Sequence, residues 1–133
     1  MATIPTGSIN HIALTVSNRD RSRDFYSSLL GFQFLTEFGP KYLLSNGSVI
    51  LALALSPDSS RAIPRDRFDE NRIGLDHVSL NVADKAELEK ALKVFDQQGI
   101  SHGEIKDLGS LGIYVLAFRD PDNIQVELTA PKV

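Results

Sequence analysis

Two stretches of the chain alternate strictly between apolar and polar residues, and each is followed by apolar residues at helical spacing. The alternating stretches are residues 8–17 and 73–83, and a period of two predicts a strand with one buried face. The helical pattern ends at Gly31 after the first stretch and at Gly99 after the second, since glycine is common just past the end of a helix. The same strand–helix order therefore occurs twice.

Side chains suited to helix capping stand where both predicted helices begin. Asn18 and Asp20 are two candidate caps for the first helix. In the second, Asp84 is followed three residues later by Glu87, which is the pattern of a capping box. The apolar residues of the two helical faces are Phe25, Leu29, Leu30, Leu88, Leu92 and Phe95.

Three shorter strands are predicted after each helix, separated by turn residues. They cover residues 32–38, 41–44 and 48–55 in the first half and residues 103–106, 112–118 and 124–129 in the second. Asn46-Gly47 between two apolar runs is a strong hairpin signal, and Asp-Pro-Asp-Asn at residues 120–123 predicts the last turn. The whole pattern is a βαβββ module that occurs twice, which indicates an α+β fold.

The length of 133 residues is that of one domain. We predict a single domain over residues 1–133, made of one module at 8–55, a linker at 56–72 and a second module at 73–130. The linker is rich in Pro, Asp, Ser and Arg and reads as exposed. Its length allows the two modules to pair within one chain or to swap between two chains.

Composition and charge exclude several classes of function. The formal net charge is −3, without a basic stripe, so nucleic acid is not an expected partner. The chain has no cysteine, which excludes disulfides, thiolate metal sites and a cysteine nucleophile. The first residues do not resemble a signal peptide and no apolar run is long enough to span a bilayer. A cytoplasmic protein without membrane association is therefore expected.

Histidines occupy matched positions at the start of the two modules. The first module begins Ile-Asn-His-Ile-Ala-Leu at residues 9–14 and the second begins Leu-Asp-His-Val-Ser-Leu at residues 75–80, so that His11 and His77 coincide. Alternation places each histidine on a polar face, and Glu127 in the last strand is expected to face the same side as His77. Two imidazoles and one carboxylate can bind a divalent metal and leave coordination positions open. The alternatives are local hydrogen bonds for the histidines and a salt bridge for Glu127.

The first module has no carboxylate that matches Glu127. Aligning Asn46-Gly47 with Asp122-Asn123 places Leu51 at the position of Glu127. An apolar wall opposite a polar one suits the organic part of a small ligand. The residues predicted to line a substrate pocket are Leu51, Leu53 and Gln125.

Four segments of the chain carry a resemblance to a known family, namely residues 9–14, 24–32, 75–80 and 118–128. Together they resemble the vicinal oxygen chelate superfamily, which includes glyoxalase I, extradiol dioxygenases, fosfomycin-resistance transferases and bleomycin-resistance proteins. The resemblance is closest to small uncharacterised bacterial glyoxalase-family proteins whose second half ends in Asp-Pro-Asp-Asn-Ile-Gln. It implies paired βαβββ modules that form a curved mixed sheet around a cavity. There a divalent metal is held, and the substrate chelates it through oxygen atoms.

The ligand positions of this superfamily can be carried over residue by residue. They fall on His11, Leu51, His77 and Glu127. Leucine at the second position speaks against glyoxalase I proper, which has an acid there. Extradiol dioxygenases and fosfomycin transferases use a three-ligand set, but both keep a tyrosine where this chain has Ala117. The extradiol enzymes also place a histidine a few residues upstream, and His102 lies too far back to match it.

The resemblance therefore implies a divalent-metal-dependent enzyme of lyase, isomerase or dioxygenase type, acting on a small oxygen-chelating organic substrate. One Fe²⁺, Mn²⁺, Ni²⁺ or Zn²⁺ ion held by His11, His77 and Glu127 would be its cofactor, with Glu127 also the catalytic carboxylate. A homodimer is the expected assembly. The alternative is a metal-free protein of the bleomycin-resistance type that binds a small molecule or drug.

Overall fold

The computed structural model describes residues 2–133, and within them each predicted module forms a sheet of its own. The chain divides into two compact units, the first ending at Pro64 and the second running from Arg65 to Val133. Each unit has one long helix and four strands, so the α+β class and the repeated βαβββ order are confirmed. The strands form two four-stranded mixed sheets, neither of which closes into a barrel.

The first unit contains β1, α1, β2, β3 and β4 in chain order. Their bounds are His11–Thr15 for β1, Arg19–Leu30 for α1, Gln33–Phe38 for β2, Lys41–Ser45 for β3 and Ile50–Ala54 for β4. The sheet order is β1-β4-β3-β2. The β1–β4 pair is parallel and the other two pairs are antiparallel. A crossover that includes α1 joins β1 to the rest of the sheet, as a parallel pair requires.

The second unit contains β5, α2, β6, β7 and β8. Their bounds are Val78–Asn81 for β5, Lys85–Gln98 for α2, Lys106–Leu108 for β6, Ile113–Arg119 for β7 and Gln125–Pro131 for β8. The sheet order is β5-β8-β7-β6, with β5 parallel to β8. Both modules therefore have the same topology. His11 is the first residue of β1 and His77 immediately precedes β5, and each of these strands pairs in parallel with the last strand of its module.

Helix caps occur where the sequence predicts them. The side chain of Asn18, rather than that of Asp20, accepts a hydrogen bond from the backbone N–H of Arg21 and begins α1. Asp84 accepts a bond from the N–H of Glu87 and begins α2. Gly31 ends α1 at φ 74°, a left-handed conformation that glycine adopts without the Cβ clash of other residues.

The core of each unit lies between its helix and the apolar face of its sheet. In the first unit Tyr26, Leu44 and Leu53 are buried, and in the second Phe95 and Phe118 are buried with their ring centroids 4.6 Å apart. Burial of side chains of this size contributes about 1.5–3 kcal/mol each. The predicted face of α2 is confirmed, since Leu88 and Phe95 are its buried residues. In α1 the buried residues are Ser22 and Tyr26, whereas the predicted Phe25, Leu29 and Leu30 are half-buried.

Hydrogen-bonded strands are shorter than the alternating stretches of sequence. The first alternating stretch covers 8–17, whereas β1 runs from His11 to Thr15, because β4 offers only five partner residues. The sixth strand is displaced from the predicted 103–106 to Lys106–Leu108. Gly103 instead donates one backbone bond to the carbonyl of Ala117. Alternation indicates which side chains are buried, whereas strand bounds depend on which residues pair with a neighbouring strand.

The segment predicted as a linker divides between the two units. Its first part carries a short 3-10 turn at Ser59–Arg61. Its last part docks on the β7–β8 turn, where the backbone N–H of Phe68 donates to the carbonyl of Asp122 at 2.9 Å and the side chain of Asn123 donates to the carbonyl of Phe68 at 3.0 Å. We call residues 65–72 the strap. The strap is part of the second unit. Most of its residues are exposed, as expected of a linker, and only Phe68 and Glu70 are half-buried.

Neither of the long helices described over residues 2–133 combines the length and the apolar character needed to cross a lipid bilayer.

Candidate metal site

A polar face of the second sheet brings His77 and Glu127 together. In the β5–β8 register Ser79 stands opposite Glu127, so His77, two residues before Ser79, lies on the same face. Nε2 of His77 is 3.8 Å from Oε2 of Glu127. The register therefore produces the juxtaposition that alternation predicted for these two side chains.

Asp76 is the second polar partner of His77, and Gln125 is in turn bonded to Asp76. Nδ1 of His77 is 2.6 Å from Oδ1 of Asp76. Nε2 of Gln125 donates to that same Asp76 oxygen at 2.8 Å. Further along the face, the hydroxyls of Ser79 and Thr129 form a hydrogen bond between β5 and β8. Nδ1 of His77 is thus hydrogen-bonded to the Asp76 carboxylate, and Nε2 lies near Glu127.

The matched histidine of the first unit has a similar partner. His11 begins β1, is exposed, and has its Nδ1 2.8 Å from Oδ1 of Asn10. The residue before each histidine therefore supplies a side-chain oxygen to Nδ1, amide in one module and carboxylate in the other. Sequence reasoning did not single out Asn10 and Asp76, although their matched positions in the repeat were visible.

The structure brings two of the three predicted ligands together. His77 and Glu127 lie in the second unit, and His11 lies in the first. Among residues 2–133 there is no group of three or more His, Cys, Asp or Glu side chains that could hold a metal ion. Metal ligation by His11, His77 and Glu127 accordingly stays a prediction.

The His77–Glu127 pair fits a shared divalent ion. A separation of 3.8 Å is too long for a direct hydrogen bond. Two ligand atoms at the tetrahedral angle on one zinc ion are about 3.4 Å apart, since Zn–N and Zn–O bonds are each roughly 2.0–2.2 Å long. The two side chains therefore need to approach by only a few tenths of an ångström to share an ion. The side chain of Glu127 is only 18% exposed. A carboxylate removed from water needs a cation or hydrogen-bond donors. Imidazole and carboxylate are both ligands that first-row divalent metals accept.

The sheet register changes the alignment of the two modules. Ser79 pairs with Glu127, whereas Ala13, which matches Ser79, pairs with Ala52. Ala52 therefore occupies the position that corresponds to Glu127, and the placement of Leu51 there is wrong. The turn signals misalign the modules because the β3–β4 and β7–β8 connections differ in length.

The predicted pocket residues fall on two different faces. Leu51 pairs with Ile12 and Leu53 pairs with Leu14, so both leucines belong to the apolar face that packs on α1. Gln125 lies on the polar face with Glu127 and bonds Asp76. The substrate pocket stays a prediction, and the register argues against the two leucines as part of its wall.

A bidentate ion pair holds the strap beside this face. Both terminal nitrogens of Arg119 donate to the Glu70 carboxylate, each at 2.7 Å. Arg119 stands opposite Gln125 in the β7–β8 register, one step along the sheet from the candidate site. Its guanidinium lowers the pKa of Glu70 to about 2, and Glu70 in turn raises the pKa of Arg119. The strap therefore contributes a carboxylate that pairs with Arg119 beside this face.

The third histidine serves a local structural role. Nε2 of His102 donates to Asp96 and Nδ1 donates to the carbonyl of Gly103, both at 2.6 Å. The Asp96 carboxylate is the main cause of a raised His102 pKa. His102 thereby ties the loop after α2 to the end of that helix.

Comparison with known proteins assigns the family. A model of the Glyoxalase/Bleomycin resistance protein/Dioxygenase superfamily matches residues 8–128. The chain therefore belongs to this superfamily, whose members bind small molecules and commonly use divalent metals.

Individual relatives span several activities. The uncharacterized protein YwkD of Bacillus subtilis is 32% identical over 128 residues, which cover 91% of this chain and 94% of the relative. Catechol-2,3-dioxygenase of the same organism is 27% identical over 93% of this chain, and the chain spans 41% of the length of that enzyme. The structure of a lactoylglutathione lyase from Agrobacterium tumefaciens is 26% identical, covers 97% of both chains and superposes with a TM-score of 0.74.

Proposed function

We propose that this protein is a divalent-metal-dependent enzyme that acts on a small, oxygen-chelating organic molecule. The proposed ligands are His77 and Glu127 of the second module together with His11 of the first, from the same chain or from a second copy. The observation that carries the proposal is the 3.8 Å approach of Nε2 of His77 to Oε2 of Glu127. A largely buried carboxylate beside an imidazole, too far for a hydrogen bond, is a pair suited to share a cation.

The chemistry follows from what these side chains can do. A divalent ion at this position supplies Lewis-acid stabilisation of negative charge on a substrate oxygen. Glu127 is the carboxylate beside Nε2 of His77, and it can accept a proton from a substrate bound there. The neighbouring hydroxyls of Ser79 and Thr129 line the same face and can donate hydrogen bonds to substrate oxygens.

The first module lacks a metal-binding side chain at the position that matches Glu127, and this narrows the class of reaction. Ala52, which the register matches to Glu127, cannot bind a metal, so the first module offers no carboxylate at the corresponding place. This supports a three-ligand site and argues against the glyoxalase I reaction proper. We propose a lyase, isomerase or dioxygenase, in keeping with the activities named for the similar proteins.

Metal binding by single-residue variants tests the proposal. Protein purified without chelators is assayed for Fe, Mn, Ni and Zn, and the metal-free form is then titrated with Mn²⁺ and Zn²⁺. We expect one ion per chain in the wild type, and a loss of affinity in His77→Ala, Glu127→Ala and His11→Ala. The loss should exceed the roughly 10- to 100-fold typical of removing an outer-sphere partner.

His102→Gln is the matched control, because it removes a histidine that is already bonded to Asp96 and Gly103. It should bind metal as the wild type does. Equal affinity in wild type and His77→Ala would overturn the proposal. A wild type that binds neither ion but does bind hydrophobic small molecules would favour the metal-free binding protein instead.

A further inference from the structure

A single carboxylate oxygen of Asp76 is hydrogen-bonded to both His77 and Gln125. Oδ1 of Asp76 is 2.6 Å from Nδ1 of His77, and it accepts from Nε2 of Gln125 at 2.8 Å. An ionised carboxylate can only accept hydrogen bonds, so Nδ1 of His77 must be the donor. A neutral imidazole that carries its proton on Nδ1 has its lone pair on Nε2, the atom that lies near Glu127.

Gln125 is the donor that holds this carboxylate in place. Arg119 stands opposite Gln125 in the β7–β8 register and is the nearby cation. Both terminal nitrogens of Arg119 are engaged by Glu70, which leaves the Gln125 amide as the direct link between Asp76 and β8. Because Gln125 and Glu127 are two residues apart on one strand, they share a face, and the support and the candidate ligand keep a fixed spacing.

The first module repeats the arrangement with a neutral residue. Oδ1 of Asn10 is 2.8 Å from Nδ1 of His11, so this ring also donates from Nδ1 and has its lone pair on Nε2. The same contact thus occurs at matched positions of the repeat. This indicates a common role for the residue before each histidine.

We propose that Asp76 and Gln125 are positioning residues that fix His77 in the tautomer whose Nε2 lone pair is available to a metal ion. This inference rests on the proposed function only in taking a metal ion as the partner of Nε2. The tautomer itself is a property of the metal-free protein. Metal affinity distinguishes positioning from a merely structural role, because a purely structural bond to Nδ1 could be lost without weakening metal binding at Nε2.

The experiment reads the His77 tautomer directly. Long-range ¹H–¹⁵N spectra of histidine-labelled, metal-free protein are recorded at mildly alkaline pH, above the ordinary histidine pKa of about 6.5. We expect His77 to carry its proton on Nδ1 in the wild type, and to become a mixture of tautomers in Asp76→Ala and Gln125→Leu. Asp76→Asn, which reproduces the Asn10 arrangement, should retain the wild-type tautomer. Gln97→Leu, an exposed glutamine of α2, is the matched control and should change nothing.

Zn²⁺ titration of the same variants supplies the second readout. We expect Asp76→Ala and Gln125→Leu to bind Zn²⁺ about 10- to 100-fold more weakly than wild type, with Asp76→Asn in between. A wild-type His77 protonated on Nε2, or a tautomer unchanged in both Asp76→Ala and Gln125→Leu, overturns the inference. If Asp76→Ala does not fold, Asp76→Asn and Gln125→Leu decide the result. A wild type that shows the expected tautomer but binds no Zn²⁺ refutes the proposed function and leaves the positioning of His77 standing.

Discussion

Glu70 shows how one side chain fixes a segment that the sequence pattern leaves undefined. It lies in the strap and forms a bidentate pair with Arg119 on β7, with both N···O distances at 2.7 Å. Such a pair is geometrically specific, because the two parallel bonds hold the guanidinium and carboxylate planes together. The strap is therefore held by a charge pair in addition to its backbone bonds.

The pKa of Glu70 gives this pair a defined pH dependence. Its pKa is lowered from 4.5 to about 2 in the folded protein, mainly by the hydrogen bonds from Arg119. A group whose folded pKa is depressed stabilises the fold above its unfolded pKa and loses that contribution as pH falls through its folded pKa. Wild type should therefore unfold at higher urea concentration than Glu70→Gln at pH 7, and the two midpoints should converge between about pH 4.5 and pH 2.

Urea unfolding of both proteins at a series of pH values measures this difference. Glu104→Gln, which removes an exposed carboxylate, is the control and should follow the wild type throughout. A gap between wild type and Glu70→Gln that persists unchanged at pH 2 would show that the pair does not act as described.

At the residue scale, the sequence predicts which face a side chain occupies better than which atom it contacts. Alternation placed His77 and Glu127 on one polar face, and the β5–β8 register brings them to 3.8 Å. The bond from Gln125 to Asp76 could not be predicted, because it depends on the stagger between two strands that are distant in sequence. The same stagger is why Ala52, rather than Leu51, corresponds to Glu127.

Helices are the elements whose limits the sequence defines most fully. Their ends depend on local chemistry, namely Asn18 and Asp84 as caps and Gly31 and Gly99 in the left-handed conformation. Strand ends depend instead on where a strand distant in sequence pairs with them, and β1 and β5 are shorter than the alternating stretches of sequence. Local signals therefore predict helix limits more closely than strand limits in this fold.

The cap of α2 gives a prediction at this scale. Asp84→Ala removes the acceptor for the Glu87 N–H, and loss of such a cap should lower the free energy of unfolding by about 1 kcal/mol, within a range of roughly 0.5–2 kcal/mol. Asp84→Ser keeps a capping oxygen and should retain most of the stability. Urea denaturation at neutral pH measures both, and an equal loss in Ala and Ser variants would contradict capping as the cause.

At the scale of the whole molecule, the sequence predicts the repeat and the family but leaves the assembly open. The two βαβββ modules and the superfamily are confirmed. The chain matches nearly the full length of YwkD and 41% of the catechol dioxygenase, so this fold occurs both as a small protein and within a longer enzyme. The homodimer stays a prediction, for which light scattering should give twice the 14.6 kDa mass of one chain.

The central claim is that two imidazoles and the Glu127 carboxylate bind one divalent ion. X-ray absorption spectroscopy of the zinc-loaded wild type reads the atoms bound to the metal directly. The account predicts two histidine nitrogens and at least one oxygen at about 2.0–2.2 Å, with one imidazole lost from the spectrum in His77→Ala. A zinc environment of oxygen atoms alone, or one that is identical in His77→Ala, would contradict it.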